Sequence, residues 1–177
     1  GFQVHIGSVE VSTPGDNLDL LVAMNPAGLK TNLYALKPGH TIIVDSDAFS
    51  KKNLEKAQYA TNPLEDGSLE NYRVIQVDMS SLTKESLKGV EGLDNKSITR
   101  SKNMFALGMV YWMYGRSKEH TIDFFNKKFK KQPHLIEANT KVLNAGYYFA
   151  ETLELIPNAY TISPAKMNPG TYRVIMG

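Results

Sequence analysis

Asp19-Leu20-Leu21-Val22-Ala23-Met24-Asn25-Pro26 decides how this chain folds. After Asp19 the run is apolar without alternation, which suits a short strand covered on both faces, as in a parallel sheet. Asn25 and Pro26 follow at once. Asn is a good helix N-cap and Pro is favoured in the first helical turn. A strand that runs straight into a helix is the opening of a βαβ unit. The helix is predicted to continue to about Leu36, where Lys37-Pro38-Gly39 would stop it.

The pattern repeats downstream. Thr41-Ile42-Ile43-Val44-Asp45 reads as the next buried strand, and residues 50–60 as a helix. Residues 61–71 carry Pro63, Asp66-Gly67 and Ser68, which is loop chemistry. Residues 72–77 read as a third core strand. Ser80-Ser81-Leu82-Thr83-Lys84-Glu85 looks like a capped helix start that Gly89 and Gly92 break. Upstream, residues 2–6 read as a strand, with Glu10-Val11-Ser12 as its hairpin partner or extension. Residues 12–17, around Pro14-Gly15, read as a turn.

The second half is helical. A helix is predicted over residues 97–114, capped by Gly115. Another is predicted over 118–130, with Ile122, Phe125 and Phe129 on one face. A third opens at Pro133 and runs to about Leu155. Residues 160–177 read as extended, ending in a short strand. The expected fold class is α/β: a layered domain with a mainly parallel sheet flanked by helices and a helix-rich C-terminal half. No boundary is visible inside the chain, so residues 1–177 are read as a single domain.

Composition narrows the function. The chain has 177 residues, with 20 basic and 18 acidic side chains, a formal charge of +2. That balance offers no general electrostatic case for nucleic acid or an anionic membrane. With no cysteine, disulfides, thiolate zinc sites, cysteine nucleophiles and iron–sulfur ligation within this chain are excluded. The most apolar window, residues 104–113, is far short of the roughly 20 residues a membrane span needs and reads as a buried helix. No signal peptide is visible, so a cytoplasmic setting is expected. Both ends look cut: the chain starts without Met, in strand-like sequence, and closes without a polar tail.

Local catalytic motifs do not emerge. The four histidines, His5, His40, His120 and His134, lack metal-ligand spacing. There is no GxGxxG, GxxxxGK[ST] or GxSxG. In open α/β sheets ligands gather at the carboxyl ends of strands, which draws attention to Asn25 and to Asp45-Ser46-Asp47. Asn25 there either faces a ligand or simply caps its helix. The two carboxylates suit a water-rich divalent cation, or a polar turn capping the following helix; without a third acidic partner nearby, the turn is preferred. Lys127-Lys128-Phe129-Lys130-Lys131 reads as a solvated helix end. The clusters Tyr111-Trp112-Tyr114 and Tyr147-Tyr148-Phe149 suit core or a subunit interface.

Several stretches occur in a telling order: DLLVAMNPAGL, PGHTIIVDSDAF, NMFALGMVYWMYG, EANTKVLNAGYYFAE and PAKMNPGTYRVIMG. Together they resemble the gamma domain of 2-oxoacid:ferredoxin (acceptor) oxidoreductases, in the form fused ahead of the alpha domain that is typical of 2-oxoglutarate oxidoreductase alpha subunits. The resemblance covers nearly the whole chain. It implies an enzyme complex that converts a 2-oxoacid and coenzyme A to an acyl-CoA and carbon dioxide and passes electrons to ferredoxin. It implies alpha and beta regions as partners. Thiamine diphosphate and magnesium would be held between them, iron–sulfur clusters, where present, in beta or delta parts, and this domain would help form the coenzyme A side of the site. Gamma domains begin with a Gly-rich strand–loop–helix, roughly GxGGQG, which this chain lacks; the resemblance therefore implies a sheet without its first strand.

Carried over residue by residue, the resemblance marks Asn25, Asp45, Ser46 and Asn103 as close to the cofactor side or an interface. It marks no residue of this chain as catalytic and none as a metal ligand. The other reading of the chain is a free-standing α/β interaction or assembly domain without an enzymatic role.

Overall fold

In the computed structural model the apolar run becomes strand β1 (Leu18–Ala23), and Pro26 opens helix α1 (Pro26–Asn32). The structure describes residues 17–153 without interruption, and residues 3–8, 11, 13, 15, 162, 163, 166, 168, 170 and 171 beyond that span. A short 3-10 turn (Leu33–Ala35) leads into β2 (Leu36–Asp45). A second 3-10 turn (Ser46–Ala48) precedes α2 (Lys51–Lys56), and a loop rich in side-chain caps leads to β3 (Arg73–Val77). Four helices follow: α3 (Met79–Ser86), α4 (Asn95–Met113), α5 (Glu119–Lys128) and α6 (Pro133–Thr152).

The three described strands form one parallel sheet in the order β1-β2-β3. The α/β expectation therefore holds. Side chains alternate across the sheet, and each face meets a different helical layer. Ile42 and Val44 of β2, with Leu21 and Ala23 of β1, pack with Leu29 of α1, Phe49 and Leu69. Ile43, with Ile75 and Val77 of β3, packs against Met79, Phe105, Met109, Met113, Val142 and Ala150. Ile42, Ile43 and Val44 are wholly excluded from water. Burying such side chains contributes roughly 1.5–3 kcal/mol each. β1, at the edge, is only partly covered: Leu21 and Ala23 are buried while Leu20 and Val22 are intermediate. No described helix is long and apolar enough to cross a membrane.

The α4–α6 pair is the tightest helix contact. A Cβ on Gly108 would collide with the Leu143 carbonyl, and one on Gly146 with the Phe105 carbonyl. Helix α4 ends as expected. Gly115 has φ +58, its N–H bonds the Trp112 carbonyl, and Arg116 N–H bonds the Tyr111 carbonyl. This pair of bonds is a Schellman closure.

Several boundaries differ from the sequence reading. Residues 3–7 form no strand; Val4 and Ile6 face solvent, and His5 Nδ1 and Gln3 Nε2 instead meet the carbonyls of Thr13 and Gly15. An apolar alternation without a ladder partner does not hold a strand. Of the hairpin residues, only Val11 is described, in no regular structure. Helix α1 ends at Asn32, not Leu36. Lys37-Pro38-Gly39 does not follow a helix but lies within β2, where the register jumps from Leu18↔Leu36 to Leu20↔Thr41. Gly39, at φ +87, takes up the kink, and its N–H reaches the Asn71 carbonyl. The loop chemistry was thus correctly read and belongs to a bulge. Helix α2 stops at Lys56, because Gln58 turns into the left-handed region at φ 57. Helix α3 begins at Met79, one residue before the expected start. Helix α6 ends at Thr152, three residues before the expected end. Of the extended tail only residues 162, 163, 166, 168, 170 and 171 are described, in no regular structure, and residues 172–177, where the closing strand is expected, lie outside the described residues.

Candidate functional site

The carboxyl ends of the three strands lie along one edge of the sheet, and the polar residues at the ends of β2 and β3 are bonded to one another and to α3 and α4, whereas Asn25 bonds only within its own helix start. Asn25 ends β1. Its side chain accepts the Gly28 N–H at 2.8 Å, with the backbone extended at φ -169. It is an exposed N-cap, as its spacing from Pro26 predicts.

Asp45 ends β2 and is fully buried. It accepts three bonds. Ser80 Oγ donates at 2.9 Å, Ser80 N–H at 3.3 Å and Lys102 Nζ at 2.7 Å. Asp47 accepts Ser81 N–H at 2.7 Å and Ser81 Oγ–H at 3.1 Å. Ser46 Oγ donates to Asp78 at 2.5 Å. The Asp45-Ser46-Asp47 turn does cap a helix, but not the following one. Ser50, at the start of α2, makes no side-chain cap bond, and neither does Asp78 at the start of α3. The two aspartates reach across instead and satisfy the free N–H groups of α3, where negative charge suits the helix dipole. This also corrects the capping-box reading of Ser80-Ser81: both serines donate to Asp45 and Asp47.

Lys102 stands on α4, four residues after Ile98 and three before Phe105, on the face turned to the sheet. Its side chain is 16% exposed, so this is a nearly dry ion pair that ties α4 to the end of β2. Sequence reading did not single out Lys102 or Asp78, and it gave Ser80 and Ser81 only as a helix start. The available signal was a lysine placed on an apolar helical stripe, and a serine pair just after a strand end. Asn103, the fourth expected residue, is exposed on α4 and has no bond to this network. Among the described residues no group of three or more His, Asp or Glu could hold a metal ion. With Lys102 on Asp45, the two carboxylates are committed to holding elements together.

The sequence model of the pyruvate ferredoxin/flavodoxin oxidoreductase family matches residues 2–149. The chain belongs to this family. Within it, the 2-oxoglutarate oxidoreductase subunit KorA of Mycobacterium tuberculosis is 47% identical over 176 residues, 99% of this chain and 27% of that subunit. A 2-oxoglutarate:ferredoxin oxidoreductase from Magnetococcus marinus, solved with 2-oxoglutarate, coenzyme A and succinyl-CoA bound, shares the fold. Its TM-score is 0.63 at 23% identity, covering 89% of this chain and 24% of that one. The chain thus spans about a quarter of the length of either relative. In this family member the strand-end network acts as a brace that ties α3 and α4 to the end of the sheet.

Proposed function

We propose that this chain is the gamma-type domain, residues 1–177, of a 2-oxoglutarate:ferredoxin oxidoreductase. In this reading it packs against the alpha and beta regions and forms a wall on the coenzyme A side of their active site. The complete assembly would convert 2-oxoglutarate and coenzyme A to the acyl-CoA and carbon dioxide, passing electrons to ferredoxin, in the cytoplasm. The observation that carries this is the 47% identity that runs through 99% of the chain to a 2-oxoglutarate oxidoreductase subunit. The site adds support, since its carboxylates are occupied by structural bonds.

Thiamine diphosphate, magnesium and the iron–sulfur clusters belong to other regions in this reading. A cysteine-free chain supplies no thiolate to a cluster. Asn25, Asp45, Ser46 and Asn103 would stand near the coenzyme A side or an interface, Asp45 and Ser46 by fixing local backbone rather than by touching substrate.

The test is activity of the complete complex, measured as 2-oxoglutarate- and coenzyme A-dependent reduction of ferredoxin or a viologen. Removal of residues 1–177 should abolish that reduction, and pyruvate should be the poorer substrate. Undiminished activity without these residues, and no co-purification of the chain with the other regions, would instead make it a free-standing interaction domain.

A further inference from the structure

Beside the Asp45–Lys102 pair, α3 and α4 enclose a cleft of about 140 Å³ lined by Ser80, Thr83, Lys84, Ile98, Thr99 and Lys102. Its chemistry is one-sided. Thr83 is 1% exposed, yet its hydroxyl has no hydrogen-bond partner. Lys102 Nζ gives one N–H to Asp45, and among the described residues its other donors meet no acceptor. Lys84, the next residue on α3, is exposed and unpaired among the described residues. The Ser80 and Thr99 hydroxyls donate away, to Asp45 and to the Asn95 carbonyl. Among the described residues no carboxylate lines the cleft, and the Asp45 carboxylate behind its wall is taken up by Ser80 and Lys102. The wall therefore carries surplus donors and, beyond the Lys102–Asp45 pair, one further ammonium at its rim, Lys84.

Buried hydroxyls are nearly always satisfied, so Thr83 calls for a partner from outside the chain. One water could serve that hydroxyl alone, but the space is several times what one ordered water needs. A water would also leave the Lys84 charge without a counter-charge. An oxyanion could accept from the Thr83 hydroxyl and a spare Lys102 N–H while its charge meets Lys84, and charge-assisted bonds from lysine to carboxylate or phosphate are the strong ones.

We infer that the α3–α4 cleft binds a small oxyanion, a carboxylate or a phosphate, through Lys102 and the Thr83 hydroxyl with Lys84 at its rim. This cleft adjoins the strand-end network and shares Ser80 and Lys102 with it, and it does not depend on the proposed place in an oxidoreductase. Calorimetric titration of the full chain with inorganic phosphate, sulfate and acetate at constant ionic strength tests it. At least one anion should bind saturably in the millimolar range or tighter and raise Tm. Saturation by phosphate and sulfate alone identifies a tetrahedral ligand; saturation by acetate alone identifies a carboxylate.

Thr83→Val keeps the side-chain shape and removes the unpartnered hydroxyl. Without anion its Tm should equal or exceed the parent value, while anion affinity drops by about tenfold, the loss of one good hydrogen bond. Lys84→Met should weaken binding and leave Tm unchanged. The proposal fails if none of the three anions saturates. It fails equally if Thr83→Val, folded as judged by its Tm, binds as tightly as the parent.

Discussion

Lys102 lies 57 residues from Asp45 along the chain and 2.7 Å from it in space. Removing either partner of such a buried pair leaves an uncompensated charge. Lys102→Met should therefore cost about 3–5 kcal/mol. Urea denaturation should show it as a lowered midpoint, and Lys102→Met combined with Asp45→Asn should recover part of the loss. Asp94 gives a pH signature. Hydrogen bonds from Ser97, its side chain foremost and then its backbone N–H, hold the Asp94 carboxyl below its ordinary value of 3.8. Its contribution is thus present above pH 3.8 and fades as pH falls through the lower folded value. Asp94→Ala should lower Tm at neutral pH, and the gap between variant and parent should narrow in acid. At this scale local roles were legible in the sequence: Asn25 beside Pro26 announces an N-cap. The Lys102–Asp45 pair was not, because its partners meet only after the α3 and α4 layer docks on the sheet.

At the scale of elements, two backbone features invite substitution. Gly146 on α6 sits against the Phe105 carbonyl of α4, with no room for a methyl group. Gly146→Ala should cost about 1–3 kcal/mol through overpacking, despite the better helix propensity of Ala. Lys141→Ala, exposed on the same helix, should stay within about 0.5 kcal/mol, since it loses only a surface pair with Glu137. Thermal melts of the two variants should separate clearly. Gln58 behaves oppositely. It holds φ 57 after α2 while its carbonyl and that of Ala57 accept Lys30 Nζ. Gln58→Gly should stabilise the protein by about 0.5–1 kcal/mol, read as a raised urea midpoint, because the left-handed conformation is easy for glycine. Helix existence and type were legible wherever apolar spacing was sustained, as in α4, α5 and α6. Lys37-Pro38-Gly39 was read as a helix stop because the same residues serve a stop and a bulge. Only pairing with β1 decides which.

At the scale of the whole molecule, the sequence pattern of three apolar runs alternating with helices was enough for a parallel sheet with layers on both faces. Ile42, Ile43 and Val44 form an unbroken apolar run because β2 is central. The first residues misled because an alternating pattern such as Gln3-Val4-His5-Ile6 states a propensity, not a partner. Substituting the centre should be felt by both layers at once: Ile43→Ala is expected to cost about 2–5 kcal/mol. A single, sharp urea transition, shifted lower, would mark sheet and helices as one cooperative unit; two separated transitions would show that they unfold independently.

The glycine contact between α4 and α6 also bears on kinetics. Where two helix backbones touch with no side chain between them, no partial opening separates them without breaking the whole contact. Their amide hydrogens should therefore exchange with solvent only when the molecule unfolds globally. In hydrogen exchange, peptides covering residues 103–113 and 138–150 should be the last to take up deuterium. Helix α5, whose contacts run chiefly to α6, should exchange well before them.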